Sequence, residues 1–137
     1  MEGNVWIGTD IGAISIQLVA FIRNAENKRI IDSLHNNKFF QERYLPYKKG
    51  LLFFSSYIRH QGNPDSKLIE IFNSLSDSIR PENLASITTT GSGGKSIAEK
   101  YNLNYVNEFR ASATGIGLLY PDIILYLKLE ENDQNTF

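Results

Sequence analysis

Two glycine-rich turns, each placed directly after an apolar run, constrain the fold of this chain more than any other feature. The first spans residues 8–12 and reads Gly-Thr-Asp-Ile-Gly, and the second spans residues 90–94 and reads Thr-Gly-Ser-Gly-Gly. Both preceding runs are typical of β-strands. Because glycine lets backbone N–H groups come close to an anion, the pair of turns predicts a phosphate-binding cleft.

The overall composition indicates a single compact domain and excludes several functional classes. The chain has 137 residues, of which 42% are hydrophobic, so it can bury a core of its own. Its 14 basic and 15 acidic residues alternate along the sequence and give a net charge of -1, which argues against a nucleic-acid partner or a polybasic membrane patch. The chain has no cysteine, which excludes disulfides, thiolate metal sites and a cysteine-ligated iron–sulfur cluster in this piece.

The amino-terminal sequence is not expected to act as a targeting signal. Met1 leads into the apolar run of residues 5–7 without a basic segment, and the longest apolar runs are shorter than the ~20 residues that a membrane-spanning helix needs. These features predict a cytoplasmic protein that does not associate with membranes.

Hydrophobic periodicity predicts five strands and three main helices in the order β-β-β-α-β-α-β-α. Residues 24–49 fit this pattern poorly and are interpreted as an insertion, in which residues 28–35 favour a short helix. The predicted strands span 5–9, 13–22, 51–58, 84–90 and 104–107, and the predicted helices span 65–79, 95–101 and 109–120.

This order is typical of an α/β fold in which a mixed five-stranded sheet is joined by crossover helices. Ligands of such sheets collect at the carboxyl ends of the parallel strands. Asp10, Gly91 and Glu108 all lie at or just past the ends of predicted strands. Two carboxylates beside two amide-rich turns suit magnesium and phosphate. Taken alone, Asp10 is equally typical of a tight turn, and Glu108 of the first turn of a helix.

Several of these motifs together resemble the BadF/BadG/BcrA/BcrD ATPase family. The resemblance is carried by residues 86–122, by the His-Gln-Gly-Asn-Pro segment at 60–64 and by residues 8–15. The family includes activators of 2-hydroxyacyl-CoA dehydratases and shares the ribonuclease H-like fold of actin, sugar kinases and DnaK-type chaperones. The resemblance implies an actin-like amino-terminal lobe at 1–122 that contains the insertion at 24–49.

The resemblance also implies specific roles for two acidic residues and for the residues of the two turns. Asp10 would reach magnesium through water, and Glu108 would orient or deprotonate the attacking water or hydroxyl. The cofactors implied are ATP and magnesium. The residues expected to line the nucleotide site are Gly8, Thr9, Gly12, Ala13, Ile14, Ser15, Gly91, Ser92 and Gly93.

The chain departs from the family pattern in ways that bear on activity. Family members carry hydroxyl residues and a lysine after the first turn, where this chain has Ala13, Ile14 and Gln17, so nucleotide affinity is expected to be reduced. Where the second lobe would begin with a Gly-Gly phosphate loop, this chain has Glu130 and Glu131. Residues 123–137 are therefore interpreted as the start of a missing second lobe or as a polar tail.

The sequence leaves three functional hypotheses open. The first is the nucleotide-binding lobe of an activator-type ATPase, inactive by itself, whose partner is the missing second lobe, a second copy of the chain, or a CoA dehydratase or reductase component. The second is a non-catalytic interaction module derived from the same fold. The third is one lobe of a small-metabolite kinase similar to type II pantothenate kinases, which share the Glu-Phe pair found at residues 108–109. His35 and His60 are interpreted as surface or loop residues.

Overall fold

A computed structural model describes residues 3–23, 27–40, 43–47 and 50–119 of the chain, with side chains in all of these except 43–47 and 116–119. The chain divides into two compact units, Met1–Tyr105 and Val106–Phe137, and each is described by itself. The expected boundary near residue 122 and the predicted tail lie outside the described residues.

The first unit begins with a long antiparallel hairpin of strands β1 (Val5–Ile11) and β2 (Ser15–Arg23). Alternate residues of each strand are buried on one face, as the period-two pattern of the sequence predicts. The other face is partly open to solvent. On that face the Trp6 and Phe21 rings lie 5.7 Å apart, and the Arg23 guanidinium lies 4.5 Å from the centre of the Trp6 ring.

The segment predicted as an insertion contributes a helix and an edge strand. Helix α1 (Lys28–Asn36) confirms the predicted short helix, and the Asn27 side chain caps it by accepting a hydrogen bond from the Ile30 N–H. Strand β3 (Arg43–Tyr47) pairs with the next strand, β4 (Gly50–Phe54), in antiparallel fashion. Because β3 ends the sheet, it tolerates Pro46, which cannot donate a backbone hydrogen bond.

The predicted third strand is divided in two by a bulge. Strands β4 and β5 (Ile58–Arg59) both pair with β2 in antiparallel fashion, and the chain between them leaves the regular ladder. At this bulge the Ser55 hydroxyl accepts a hydrogen bond from the Leu18 N–H at 2.8 Å and donates one to the Ser56 carbonyl. A serine hydroxyl thus satisfies a buried backbone donor that a continuous strand would have paired.

Crossover helices then lead to two parallel strands. Helix α2 (Pro64–Leu75) begins at the cap residue Asn63, whose side chain accepts from the Ser66 N–H, and a 3-10 turn at Pro81–Asn83 precedes strand β6 (Leu84–Thr90). Helix α3 (Gly94–Tyr101) ends at Asn102, which adopts the left-handed conformation, and leads to the short strand β7 (Asn104–Tyr105). Strand β6 runs parallel to both β1 and β7.

A polar contact joins α2 to α3. The Lys100 ammonium and the Tyr101 hydroxyl both donate to the carboxylate of Asp65, at 2.5 Å and 2.9 Å. The hydrogen bond from Lys100, helped by that from Tyr101, lowers the pKa of the Asp65 carboxyl. Because Asp65 also lies in the first turn of α2, its negative charge is stabilised by the helix dipole.

Together the strands form one seven-stranded mixed sheet in the order β3-β4-β2-β1-β6-β7, with β5 also paired to β2. The fold is α/β, as predicted, but the expected count of five strands is wrong because it omits β3 and treats β4 and β5 as one. A single core joins the buried sheet residues to α1, α2 and α3 through Ile30, Leu34, Leu68, Ile71, Leu75 and Ile97. None of the helices described here is long and apolar enough to cross a membrane.

The second unit is described from Val106 to residue 119. Helix α4 (Glu108–Leu119) corresponds to the predicted helix at 109–120. Asn107 precedes it and caps it, because its side-chain oxygen accepts from the Arg110 N–H at 2.8 Å.

Candidate functional site

The two glycine-rich turns lie directly against each other. The Gly93 N–H donates to the Ile11 carbonyl at 2.9 Å, which joins the second turn to the end of β1. Gly91 has a φ of +92°, and a Cβ atom there would collide with the Ile11 carbonyl oxygen and lie 2.5 Å from the Asp10 Oδ1 atom. The turns therefore share one edge of the sheet, at the carboxyl ends of the parallel strands β1 and β6.

The first turn is a tight hairpin connection whose carbonyl groups are hydrogen-bonded to a histidine. The Gly12 N–H donates to the Ser15 carbonyl at 2.9 Å, and Ala13 and Ile14 at the tip are exposed. The ring nitrogen Nε2 of His60 lies 2.9 Å from the Gly12 carbonyl oxygen, and the backbone N–H of His60 donates to the Ile14 carbonyl at 3.1 Å. Two carbonyls of the turn are thus bonded to one residue.

The hydrogen bonds of His60 define its tautomer. Its Nδ1 atom accepts from the Gly62 N–H at 3.2 Å, and its Nε2 atom can only donate to the Gly12 carbonyl. Both contacts together require a neutral ring with the proton on Nε2. His60 is only 6% exposed, so although it lies in a loop, as expected, it is not a surface residue. His35, by contrast, is exposed on α1.

This anchoring fixes the direction of the backbone amides of the first turn. In a trans peptide the C=O and the following N–H point in opposite directions. Since the Gly12 and Ile14 carbonyls point to His60, the N–H groups of Ala13 and Ser15 point away from it. Within the described part of the chain, the N–H groups of Ala13, Ile14 and Ser92 donate no hydrogen bond to protein.

Five polar side chains form a row on the partly open face of the sheet, beside the two turns, and among them the Thr90 hydroxyl oxygen is buried. The strand registers pair Asp10 with Gln17 and with Thr90, and pair Ser15 with Arg59. Directly paired residues project from the same face, and so do residues two apart on one strand. The row therefore runs across four neighbouring strands in the order Thr90, Asp10, Gln17, Ser15 and Arg59. Asp10 and Arg59 are exposed, and Ser15 and Gln17 are partly exposed.

The second turn is anchored by a buried threonine. The Thr89 hydroxyl donates to the Gly94 carbonyl at 2.7 Å, and the Gly94 N–H donates to the Gly91 carbonyl at 3.0 Å. These bonds hold the first residue of α3 against the end of β6. Ser92 at the tip of the turn, and Lys95 in the first turn of α3, are exposed.

The remaining predicted site residues lie in different environments. Gly8 is exposed on the same face as Asp10, whereas the side chain of Thr9 is buried on the opposite, core face. A binding role for Thr9 could therefore involve only its backbone. Glu108 is exposed at the start of α4, in the second unit. That its carboxylate faces Asp10 across one cleft stays a prediction.

The paired threonines Thr9 and Thr89 are expected to respond in opposite ways to replacement by valine. Thr9 is 2% exposed, and its hydroxyl oxygen has no partner among the described residues, whereas the Thr89 hydroxyl is bonded to Gly94. Thr9→Val should raise the free energy of unfolding by about 1 kcal/mol, because it removes an unsatisfied buried hydroxyl. Thr89→Val should lower it by about 1–2 kcal/mol, because the Gly94 carbonyl loses its donor. Urea unfolding of both variants measures the two shifts, and equal signs would contradict the prediction.

The chain matches no protein-family model, and no curated protein matches it at a significant level of sequence similarity. The family resemblance therefore depends on the motif residues alone.

Proposed function

We propose that this chain is the nucleotide-binding lobe of an activator-type ATPase of the BadF/BadG kind, with a ribonuclease H-like arrangement of its sheet. The observation that carries the proposal is the contact between the two turns, through the Gly93–Ile11 hydrogen bond, beside an exposed Asp10. Two amide-rich turns at the carboxyl ends of adjacent parallel strands are a suitable place for a polyphosphate.

The arrangement of the sheet supports this proposal. Strands β4, β2 and β1 form an antiparallel meander, and β6 and β7 continue it as parallel strands reached through crossover helices. Under this proposal the sheet is a ribonuclease H-like arrangement with β3 added outside β4.

The backbone of the first turn fits a phosphate group. His60 is hydrogen-bonded to the carbonyls of Gly12 and Ile14, so these carbonyls point toward His60. The N–H groups that follow them, those of Ala13 and Ser15, point to the opposite side of the turn. Unpaired N–H groups in a turn attract anions. A Cβ atom at residue 91 would lie 2.5 Å from the Asp10 Oδ1 atom, so the glycine permits the two turns to lie this close together.

The side chains present also fit magnesium bound chiefly through phosphate and water. No cluster of three or more His, Asp or Glu side chains occurs within the ranges described, and Asp10 is the acidic residue at the two turns. Magnesium keeps several of its waters and takes one or two carboxylates together with substrate phosphates. Bound there, it would neutralise charge on the phosphate oxygens. Glu108 would orient the attacking water, and a second lobe, a second copy of the chain, or a CoA dehydratase or reductase component would complete the cleft.

The proposal predicts weak binding of magnesium-ATP that depends on Asp10. Titration calorimetry of the chain should give a measurable heat, and Asp10→Asn should weaken binding at least about tenfold, because the neutral amide no longer attracts the cation. Asp32→Asn is the matched control, since Asp32 is exposed on α1, an element that contains neither turn. Absence of binding by the unchanged chain would refute the proposal, as would equal binding by Asp10→Asn and Asp32→Asn.

A second candidate function, an interaction module, is favoured by two exposed apolar side chains near the first turn. Ile14 is 67% exposed at the tip of the turn, and Tyr57 is 74% exposed in the bulge before β5. A contiguous exposed apolar patch rimmed by polar groups is typical of contact surfaces, and under this hypothesis Ile14 and Tyr57 belong to one such patch. Self-association in sedimentation experiments, abolished by Ile14→Ser and Tyr57→Ser, together with no nucleotide binding, would support this function over the first.

A further inference from the structure

A cationic side chain from a distant part of the sequence lies beside the first turn. Position 17, where the family carries a lysine, holds a glutamine, so the sequence around the turn offers no positive charge. In the structure, however, β5 brings Arg59 into register with Ser15, the residue that closes the turn. Since the two residues are directly paired, their side chains project from the same face as Asp10 and Gln17.

Arg59 is exposed and is not neutralised within the part of the chain that the structure describes. It forms no ion pair and donates no side-chain hydrogen bond there. Of the other cations whose side chains the structure describes in the first unit, five are engaged, and Lys28, Arg80 and Lys95 form no ion pair there. Lys100 is paired with Asp65, Lys38 and Lys67 are paired with Glu70, Arg29 donates to the Ser78 carbonyl, and Arg23 lies over the Trp6 ring.

The backbone on which Arg59 lies is fixed relative to the turn. The next residue, His60, is buried and donates to both the Gly12 and the Ile14 carbonyls. The hydrogen bonds of His60 that direct the amides of the turn therefore also fix the backbone of Arg59, which precedes His60 in the chain. A cation on a fixed backbone loses less conformational freedom on binding than one on a mobile loop.

We propose that Arg59 is a phosphate-binding residue of this cleft and takes the place of the missing lysine. This inference rests on the proposed nucleotide-binding function and adds a residue to its site. Guanidinium groups bind phosphate oxygens through two parallel hydrogen bonds, and the neighbouring amides of the turn would hold the same anion. Asp10 lies farther along the same row, so a cation bound there and Arg59 would contact the polyphosphate from two directions.

The test compares four forms of the full chain: the unchanged protein, Arg59→Gln, Arg59→Lys and the charge-matched control Lys28→Gln. Lys28 is exposed at the start of α1. Each is titrated by calorimetry with magnesium-ATP and, separately, with tripolyphosphate without magnesium, after circular dichroism has established that it is folded. Arg59→Gln should weaken binding of both ligands about tenfold, Arg59→Lys should recover part of the loss, and Lys28→Gln should bind like the unchanged protein.

The two ligands separate this inference from the proposed function. If magnesium-ATP binds to the unchanged chain and Arg59→Gln binds it equally well, the role of Arg59 is refuted and the nucleotide site stands. If the chain binds tripolyphosphate in an Arg59-dependent way but does not bind magnesium-ATP, the anion contact stands and the nucleotide proposal is refuted. Binding of neither ligand overturns both, and equal weakening by Lys28→Gln would show only a general effect of net charge and also overturns the assignment.

Discussion

Gly91→Ala is expected to lower the free energy of unfolding by about 2–4 kcal/mol, a large effect for the addition of one methyl group. Gly91 has a φ of +92°, a backbone conformation that an L-amino acid with a Cβ adopts only under strain. The new methyl group would also collide with the Ile11 carbonyl oxygen and lie 2.5 Å from the Asp10 carboxylate. The variant therefore has to separate the two turns, and magnesium-ATP binding should be lost together with stability.

Gly8→Ala is the matched control for this prediction. Gly8 lies on the same strand as Asp10, but a Cβ there would have no neighbouring atom within 4 Å. Because alanine in a strand costs no more backbone entropy than glycine, Gly8→Ala should be as stable as the unchanged protein or slightly more so. Guanidinium unfolding of both variants gives the comparison. A Gly91→Ala variant as stable as Gly8→Ala would contradict the close contact between the turns.

The regular elements of the fold could be predicted because their sequences carry local patterns. The alternation along β2, the helical spacing along α2 and the glycines after β1 and β6 all depend on residues close together in the chain. The same holds for α1, which was predicted inside an otherwise irregular segment. Such patterns also predicted that the turns at Asp10 and Gly91 share an edge, once β1 and β6 are taken as parallel neighbours.

The parts of the fold that were missed depend on long-range pairing. The apolar run at 51–58 has no local signal that divides it. It becomes two strands because the Ser55 hydroxyl replaces a backbone partner of Leu18, which only the folded sheet can show. Strand β3 was missed for a similar reason, since its pairing with β4 is the property that makes it a strand.

The candidate site shows the same division between local and distant signals. Gly12 and Gly91 mark the turns in the sequence itself. His60, which is bonded to the first turn, and Arg59, the cation proposed for it, come from the end of β5 and the residue after it, and nothing near them in sequence relates them to Gly12 or Ser15. Only the register of β5 against β2 establishes that relation. The glutamine at position 17 therefore looks like a lost charge in the sequence, whereas the fold pairs an arginine with Ser15, two residues away on the same face.

The first turn acts as a rigid unit because it is bonded on two sides. Gly93 bonds to Ile11 from the second turn, and His60 bonds to Gly12 and Ile14 from the β5 side. A turn fixed in this way presents its amides without first having to become ordered, which favours binding of a small anion. His60 should therefore matter for binding as well as for stability, although it has no place in the row of side chains beside the turns.

His60→Ala is accordingly expected to lower the free energy of unfolding by about 2–4 kcal/mol, since it leaves a buried cavity, the Gly12 carbonyl without its donor and the Gly62 N–H without its acceptor. The variants His60→Gln and His60→Asn separate the contribution of the Nε2 bond to stability from that of the Nδ1 bond. The glutamine amide reaches the position of Nε2 and can still donate to Gly12, whereas the asparagine oxygen lies near the position of Nδ1 and can only serve Gly62.

If the bond to Gly12 directs the amides of the turn, tripolyphosphate should bind His60→Gln more tightly than His60→Asn, even at similar stabilities. Chemical unfolding gives the stabilities, and calorimetry with tripolyphosphate gives the affinities. His35→Gln controls for the loss of an imidazole outside the turns: the His35 ring lies 5.1 Å from that of Phe53, and the variant should bind like the unchanged chain. If His60→Asn instead binds as tightly as His60→Gln, the Gly12 bond only supports the fold, and the amides are directed by the backbone bonds from residue 60 to Ile14 and from Gly93 to Ile11.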